Sequence, residues 1–228
     1  MDSLVSVVIP AHNSRYIASA LDSILAQKQR PLEILVVDDG STDSTAQIVR
    51  AYAPKVRLIE QDQRGHPAAR NAGIGAATGQ FLAFLDHDDL WSPDKLERQI
   101  ASFERDPELD LVFGHILNFF TPEMPLEERA RFRVPLRPLP GLLQGAMLAR
   151  RRSFDRVGLF SEKRGTGDFL DWYGRALLAR MNIEMLPETV LYRRIHADNY
   201  QRTHKHQRRE YLRAVKELLD RRRALSGG

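Results

Sequence analysis

Short runs of apolar, mostly branched residues alternate along the chain with stretches whose apolar residues recur every three to four positions. Leu4–Ile9 is the first run, closed by Pro10, and Leu32–Val37, Val56–Ile59, Phe81–Leu85 and Leu109–Phe113 repeat it. Such runs lack a sustained polar face, which predicts strands buried on both sides. Between them, Ile17, Leu21, Ile24 and Leu25 form a helical stripe, with Asn13 or Ser14 as the expected cap. Ser41, Thr42 or Asp43 is placed to cap a second helix reaching about Tyr52. Gln63–Gly73 turns into a small-residue helix ending at Gly79, and a further helix runs from Pro93 to about Phe103. Strand and helix thus alternate about five times over residues 1–120. That alternation builds an α/β fold: a mainly parallel central sheet with helices on both faces.

The pattern then changes. Phe120–Gly141 carries Pro122, Pro125, Pro135, Pro138 and Pro140 with arginines between them, and no periodicity survives. This predicts a long loop of the kind that serves as a lid or binding loop. Leu142–Leu148 reads as a strand or buried loop, followed by Arg150, Arg151 and Arg152. Asp168–Arg175 reads as a helix start, with Asp168 and Asp171 three apart on one side of the first turn. Leu186–Tyr192 gives a last short strand, with His196 and Asn199 just beyond. His206–Arg223 predicts a C-terminal helix with Tyr211, Val215, Leu218 and Leu219 on one side and Arg208, Arg209, Arg213, Lys216 and Arg221 on the other. There is no internal repeat. The expected organisation is one domain over 1–200, divided near residue 120 into halves 1–120 and 121–200, followed by the basic helix 201–228.

Composition narrows the chemistry. Among 228 residues there is no cysteine, so disulfides and thiolate metal sites are excluded, which fits a reducing, cytoplasmic setting. The start MDSLVSVVIPAHN lacks the basic head and long apolar core of a signal peptide, and no segment approaches the roughly 20 apolar residues of a membrane span. The net charge of +4 is unevenly spread: residues 1–120 hold 11 Lys/Arg against 17 Asp/Glu, and residues 121–228 hold 23 against 13. An acidic first half suits metal binding; a basic second half suits an anionic partner. The basic helix reads as a solvated face packed by its apolar stripe. The alternative is an interfacial helix making peripheral contact with anionic lipid at the inner face of a membrane. No zinc-finger, RNP-type or basic-zipper pattern points to nucleic acid.

The acids sit where a sheet of this kind places ligands, at the carboxyl ends of strands. Asp38 and Asp39 end the second strand; Asp86, Asp88 and Asp89, with His87 among them, end the strand at Phe81–Leu85. The topology puts both groups along one edge. Asp86-x-Asp88 suits a hard divalent cation that takes few protein oxygens and leaves positions for phosphate. No Gly-x-x-x-x-Gly-Lys-[Ser/Thr], no Gly-x-Gly-x-x-Gly after the first strand and no Gly-x-Ser-x-Gly is present, which argues against a P-loop kinase, a Rossmann dehydrogenase and a serine hydrolase. The remaining set suits metal-assisted transfer from a phosphate-activated donor, with a separate carboxylate deprotonating the acceptor.

Taken jointly, VVIPAHN, VVDDGSTD, the G-x-x-x-ARNAGI segment, FLDHDDLWSPDKL, a later acidic segment and a late histidine closely resemble a family 2 glycosyltransferase of the GT-A fold, over about residues 4–200. The resemblance implies a GT-A type, Rossmann-like α/β/α sandwich and a transferase of hexosyltransferase type. Such an enzyme moves sugars from nucleotide-sugar donors with inversion, using Mn²⁺ or Mg²⁺. It implies that Pro10, Ala11, His12 and Asn13 pack on the nucleoside, and that one of Asp38 and Asp39 reads the base, uracil first. Arg70 and His87 then lie near the nucleotide, and Asp86 near the ribose or metal. Asp88 is the first choice for the direct metal ligand, and His196 reaches the metal or diphosphate. Many relatives carry Glu-Asp-x-Asp ahead of the helix that begins here; this chain reads Gly167-Asp168-Phe169-Leu170-Asp171, so either Asp168 or Asp171 matches the base, with Asp168 preferred. The acceptor is a glycan, lipid-linked or peptide hydroxyl. The competing readings are a sugar nucleotidyltransferase, for which PAHNSRY is a poor activation loop, and a nucleotide-sugar-binding relative without catalysis.

Overall fold

The computed structural model describes residues 4–28, 32–163 and 167–196. Pro31, Asn199 and the basic segment 201–228 lie outside the described residues. Four parallel strands form the first part of the sheet: β1 (Val5–Ala11), β2 (Leu32–Asp39), β3 (Arg57–Gln61) and β4 (Phe81–Phe84). β1 is central, pairing with β2 and β4 in parallel, and β2 pairs in turn with β3. Five further strands complete it: β5 (Leu90–Trp91), β6 (Leu111–Phe120), β7 (Leu139–Pro140), β8 (Leu148–Arg150) and β9 (Ile183–Ile195). The order is β3-β2-β1-β4-β8-β6-β9-β5, with β7 on β6. β8 runs antiparallel between β4 and β6, β6 and β9 are parallel, and β5 closes antiparallel on β9. The sheet is therefore mainly parallel with antiparallel insertions, as in GT-A folds.

Side chains alternate across each strand, so the strands feed two cores. Val5, Val7, Ile9, Ile34, Val36, Ala83 and Val112 face one side. There α1 (Ile17–Leu25), α2 (Thr45–Arg50) and α4 (Lys95–Arg105) cover them. Val8, Leu35, Leu82, Phe84, Leu111 and Phe113 face the other, beneath α3 (His66–Ala76), α6 (Arg151–Val157) and α7 (Asp168–Leu178). On this second side Trp172 is fully buried and stacks on Phe154 at 4.5 Å, and its indole N–H donates to Gly158 O. α3 packs unusually close to the sheet: a Cβ on Gly73 would stand 2.3 Å from Val8 Cγ1.

Several expectations need correction. Neither Asn13 nor Ser14 caps α1, which begins after Tyr16 without a side-chain cap. Asn13 Oδ1 instead accepts the Thr42 N–H, and the Ser14 N–H donates to Thr45 Oγ1; tying β1 to the β2 loop competes with capping. α2 starts at Thr45, after Asp43 Oδ1 takes the Thr45 N–H, and stops at Arg50. α3 stops at Ala76, three residues before Gly79. The stretch Phe120–Gly141 is not structureless: β6 extends to Phe120, α5 (Leu126–Arg129) forms one turn, and β7 pairs with β6. The last strand is 13 residues long rather than short.

Candidate active site at the carboxyl edge of the sheet

β1, β2 and β4 end side by side, with Ala11 opposite Asp38 and Val8 opposite Phe84. The two acidic strand ends therefore meet on one edge. Each acid there has a distinct task. Asp39 is buried and accepts from Gln61 Nε2 at 2.7 Å, the Arg64 N–H at 2.8 Å and the Gly65 N–H at 2.7 Å. It holds the turn that starts α3, where Gly65 at φ 94° occupies a conformation open to glycine. Asp38 accepts from the Ser41 N–H at 3.2 Å and from the Ser41 hydroxyl. His12 Nδ1 lies 2.9 Å from Asp39 O. A carbonyl can only accept, so Nδ1 carries the proton and Nε2 is left to accept from Asn13 Nδ2 and Gln63 Nε2, both 3.2 Å away. Pro10 and Ala11 lie in β1, both buried, which presents His12 and Asn13 at the edge.

The second acidic cluster is built around Arg70. This guanidinium, 4% exposed on α3, places Nη1 2.7 Å from Asp168 Oδ2 and Nη2 2.8 Å from Asp86 Oδ1. One arginine thus joins the end of β4 to the first residue of α7, Asp168, which lies 98 positions beyond the arginine itself. Burial raises the Asp86 carboxyl, but Arg70 foremost, with His66, His87 and the hydrogen bond, outweighs it and holds Asp86 at about 2. Asp168 goes the other way: burial pushes it above the usual carboxylate range, and Arg70 only partly offsets this. Gln144 Nε2 donates to Asp86 Oδ2 at 3.1 Å from the far side. Asp171 is separate from this set; it pairs with Arg175 at 3.0 Å within α7.

Asp88 Oδ2 lies 3.0 Å from His196 Nε2, so the end of β9 meets the end of β4. Burial raises Asp88, and the His196 hydrogen bond with the neighbouring histidines brings it below the usual range. Asp89 turns inward, where its Oδ1 accepts the Arg194 N–H at 2.8 Å. Burial, then Asp88 and Asp86, pushes it well above the usual range. Arg194 Nε donates to Asp88 O at 2.8 Å, and its guanidinium lies 4.4 Å from the Tyr16 ring centre. His87 Nδ1 lies 2.7 Å from Ser14 Oγ, and its ring meets His66 edge-on at 5.8 Å. His66 is held down at about 4 by burial, then by Arg70 and His87. No cluster of three or more His, Asp or Glu side chains forms a metal cage among the described residues. The Asp88–His196 pair still fits a hard cation that takes one or two protein ligands and completes its shell with phosphate oxygens and water.

The edge therefore gathers Asp38, Asp39, His12 and Asn13 at one end and Asp86, Arg70, Asp168, Asp88 and His196 at the other. Gln144, Gln63, His66 and Arg194 were not singled out as site residues from the sequence, and Ser14 was read only as a helix cap. Gln144 left one trace, a lone amide inside the apolar run Leu142–Leu148.

Comparison with known proteins agrees with this geometry. Residues 6–158 match the family model described as glycosyl transferase family 2. An uncharacterized glycosyltransferase of Rickettsia typhi is 31% identical over 222 residues, covering 91% of this chain and 69% of that protein. The succinoglycan biosynthesis protein ExoO of Rhizobium meliloti is 40% identical over 157 residues, covering 64% of this chain and 43% of that protein. Among solved structures, S. aureus TarS 1-349 in complex with UDP-GlcNAc superimposes with a TM-score of 0.73 at 22% identity, over 94% of this chain and 65% of that one. The mannosyltransferase PcManGT from Pyrobaculum calidifontis, in complex with GDP-Man and Mn²⁺, gives a TM-score of 0.68 at 23% identity, over 93% and 64%. This chain thus spans less than two thirds of ExoO and of both structures. No helix among the described residues is long and apolar enough to cross a membrane.

Proposed function

This chain belongs to glycosyl transferase family 2, and from that premise we propose that it moves a sugar from a nucleotide diphosphate sugar, UDP-linked first, to an acceptor hydroxyl with inversion. The observation that carries the reading is the buried Arg70 fork, which joins a carboxylate at the end of β4 to one at the start of α7. Inversion needs one face of the anomeric carbon open to a base and the other occupied by the leaving diphosphate. The fork links Asp168 to Asp86, while Asp88, two residues beyond Asp86, pairs with His196 from the end of β9. UDP-GlcNAc in TarS and GDP-Man with Mn²⁺ in PcManGT favour a nucleotide-sugar donor and a divalent cation here as well.

In this proposal His12, Asn13, Asp38 and Asp39 receive the nucleoside. Asp88 and His196 hold Mn²⁺ or Mg²⁺, which when bound supplies positive charge against the departing diphosphate. Asp86 is the weaker metal ligand, because Arg70 and Gln144 already engage its oxygens. Asp168 removes the proton from the acceptor hydroxyl, which attacks the anomeric carbon opposite the diphosphate. Burial raises its proton affinity, which suits a general base working near neutral pH. Asp171 serves α7 through Arg175. The acceptor is sought on the 121–196 side. Peripheral contact of 201–228 with anionic lipid on the cytoplasmic face is tested by liposome co-sedimentation: binding independent of anionic lipid rejects it.

The test of the reaction is release of nucleoside diphosphate from a panel of nucleotide sugars, with and without Mn²⁺. Turnover of one donor, lost in Asp168→Asn and kept in Asp171→Asn, supports the assignment. The opposite pattern moves the base to Asp171. Nucleotide binding without turnover of any donor favours the non-catalytic relative.

A further inference from the structure

The core beside the site contains a lysine that meets an amide, a carbonyl and an indole ring among the described residues, and no carboxylate. Lys95, on the first turn of α4, is fully buried, and its Nζ lies 4.6 Å from the Trp91 ring centre. Desolvation holds its proton affinity well below the ordinary lysine value. Burying such a group is costly unless its hydrogen bonds are made. Lys95 Nζ donates to Met147 O at 3.2 Å and bonds Gln99 Oε1. Gln99 Nε2 donates to Ala146 O at 2.9 Å and to Val112 O at 2.9 Å. The Trp91 indole N–H donates to Gly145 O at 3.0 Å.

Three consecutive carbonyls, those of Gly145, Ala146 and Met147, are therefore each held by a different side chain from β5 and α4. They belong to or adjoin the 3-10 turn Gln144–Ala146. A turn of this size needs no such anchoring to exist. What the anchoring fixes is the direction of Gln144, the residue at the turn's open end. Its Nε2 reaches both Asp86 oxygens, Oδ2 at 3.1 Å and Oδ1 at 3.4 Å, and its Oε1 has no hydrogen-bond donor among the described residues. Gln144 is half-buried, not sealed.

We propose that Gln144 is a specificity-determining residue that hydrogen-bonds a hydroxyl or acylamino group of the donor sugar, with Trp91, Lys95 and Gln99 as its positioning residues. This rests on the reading of the site as a nucleotide-sugar site. A sugar whose anomeric carbon lies between the diphosphate at Asp88 and the base Asp168 passes Asp86, and Gln144 stands against Asp86. A primary amide offers both a donor and an acceptor, which suits reading a ring substituent rather than a charge. A site built to hydrogen-bond a sugar group discriminates strongly against a donor that leaves it unpaired.

The experiment is calorimetric titration of the full chain with UDP and GDP, then with UDP-Glc, UDP-Gal, UDP-GlcNAc and GDP-Man, all with Mn²⁺. The variants are Gln144→Leu, Gln144→Glu and Lys95→Met. The expected result is a loss of about tenfold or more in affinity for the preferred nucleotide sugar in Gln144→Leu, as expected for one missing hydrogen bond. Affinity for the free nucleotide stays within about twofold by the same arithmetic. Gln144→Glu, which keeps the size, changes which sugar is preferred. Lys95→Met shows the same selective loss, weaker, in folded protein; a merely structural role would move both affinities or neither. Equal affinities of wild type and folded Gln144→Leu for the nucleotide sugar overturn the inference, as does an equal loss for nucleotide and nucleotide sugar. A wild type that binds no nucleotide at all overturns the nucleotide-sugar reading, and this inference with it.

Discussion

Removing the Arg70 guanidinium strands two carboxylates at once, and the cost can be worked out from their surroundings. In Arg70→Met the side chain keeps most of its length, so little packing is lost. Asp168, 4% exposed, loses its cation where water cannot replace it; Asp86, 28% exposed, regains part of its solvation. Breaking a buried ion pair by deleting one partner costs about 3–5 kcal/mol. With one carboxylate sealed and the other partly wetted, the lower end applies, about 3 kcal/mol. For a chain of this size that lowers Tm by roughly 6–12 °C. The sign of the pH dependence follows. Asp168 is already raised in the folded protein by burial, and without Arg70 it rises further. A carboxyl raised on folding destabilises above its unfolded value, and protonation relieves it. The loss in the variant is therefore larger at pH 8 than at pH 5. Adding Asp168→Asn to Arg70→Met recovers part of it at pH 8. Urea titrations at both pH values provide the assay. A loss under about 1 kcal/mol, or one equal at pH 5 and 8, refutes the claim that the fork offsets buried charge.

Other consequences are as direct. Asp168→Asn lowers kcat by roughly 10²–10⁴-fold while calorimetric nucleotide affinity is kept; loss of affinity with unchanged kcat contradicts the base assignment. His66, depressed to about 4, stays neutral at pH 6, so its imidazole resonances titrate near pH 4 by NMR instead of near 6.5. Its contribution to stability is full above its unfolded value and falls as pH drops from 6.5 toward 4; a midpoint above 6 refutes the burial argument. Gly73→Ala drives a methyl into Val8 Cγ1 and costs about 1–3 kcal/mol in chemical denaturation; no measurable change contradicts the close packing of α3 on β1.

How much of this could be read from the chain depended on how local the signal was. β1, β2 and β4 are buried on both faces, so each left a continuous apolar run, and the acids at their ends marked the site edge. β9 did not, because most of its first eight positions are only half-buried. Glu184, Arg193 and Arg194 break the apolar signal on either side, leaving only Leu186–Tyr192 legible. β5 is two residues long and exists through its pairing with Leu191 and Tyr192, which nothing local encodes. Arg70 stood out through its motif, but that it spans Asp86 and Asp168 is a property of the assembled sheet. Lys95 and Gln99 are polar residues four apart on α4, and nothing in their sequence marks them as buried. Only the packed structure turns them inward to the turn carrying Gln144.

The proposed nucleotide-sugar reading stands most directly on Asp88, because in that proposal a cation held there would give the diphosphate its place. The decisive measurement is calorimetric titration of wild type and Asp88→Ala with UDP, GDP and dTDP, in Mn²⁺ and then in EDTA. Binding of one nucleotide that needs Mn²⁺ and disappears in Asp88→Ala is the expected result. Binding that is indifferent to EDTA and intact in Asp88→Ala, or no nucleotide binding by the folded wild type, contradicts it.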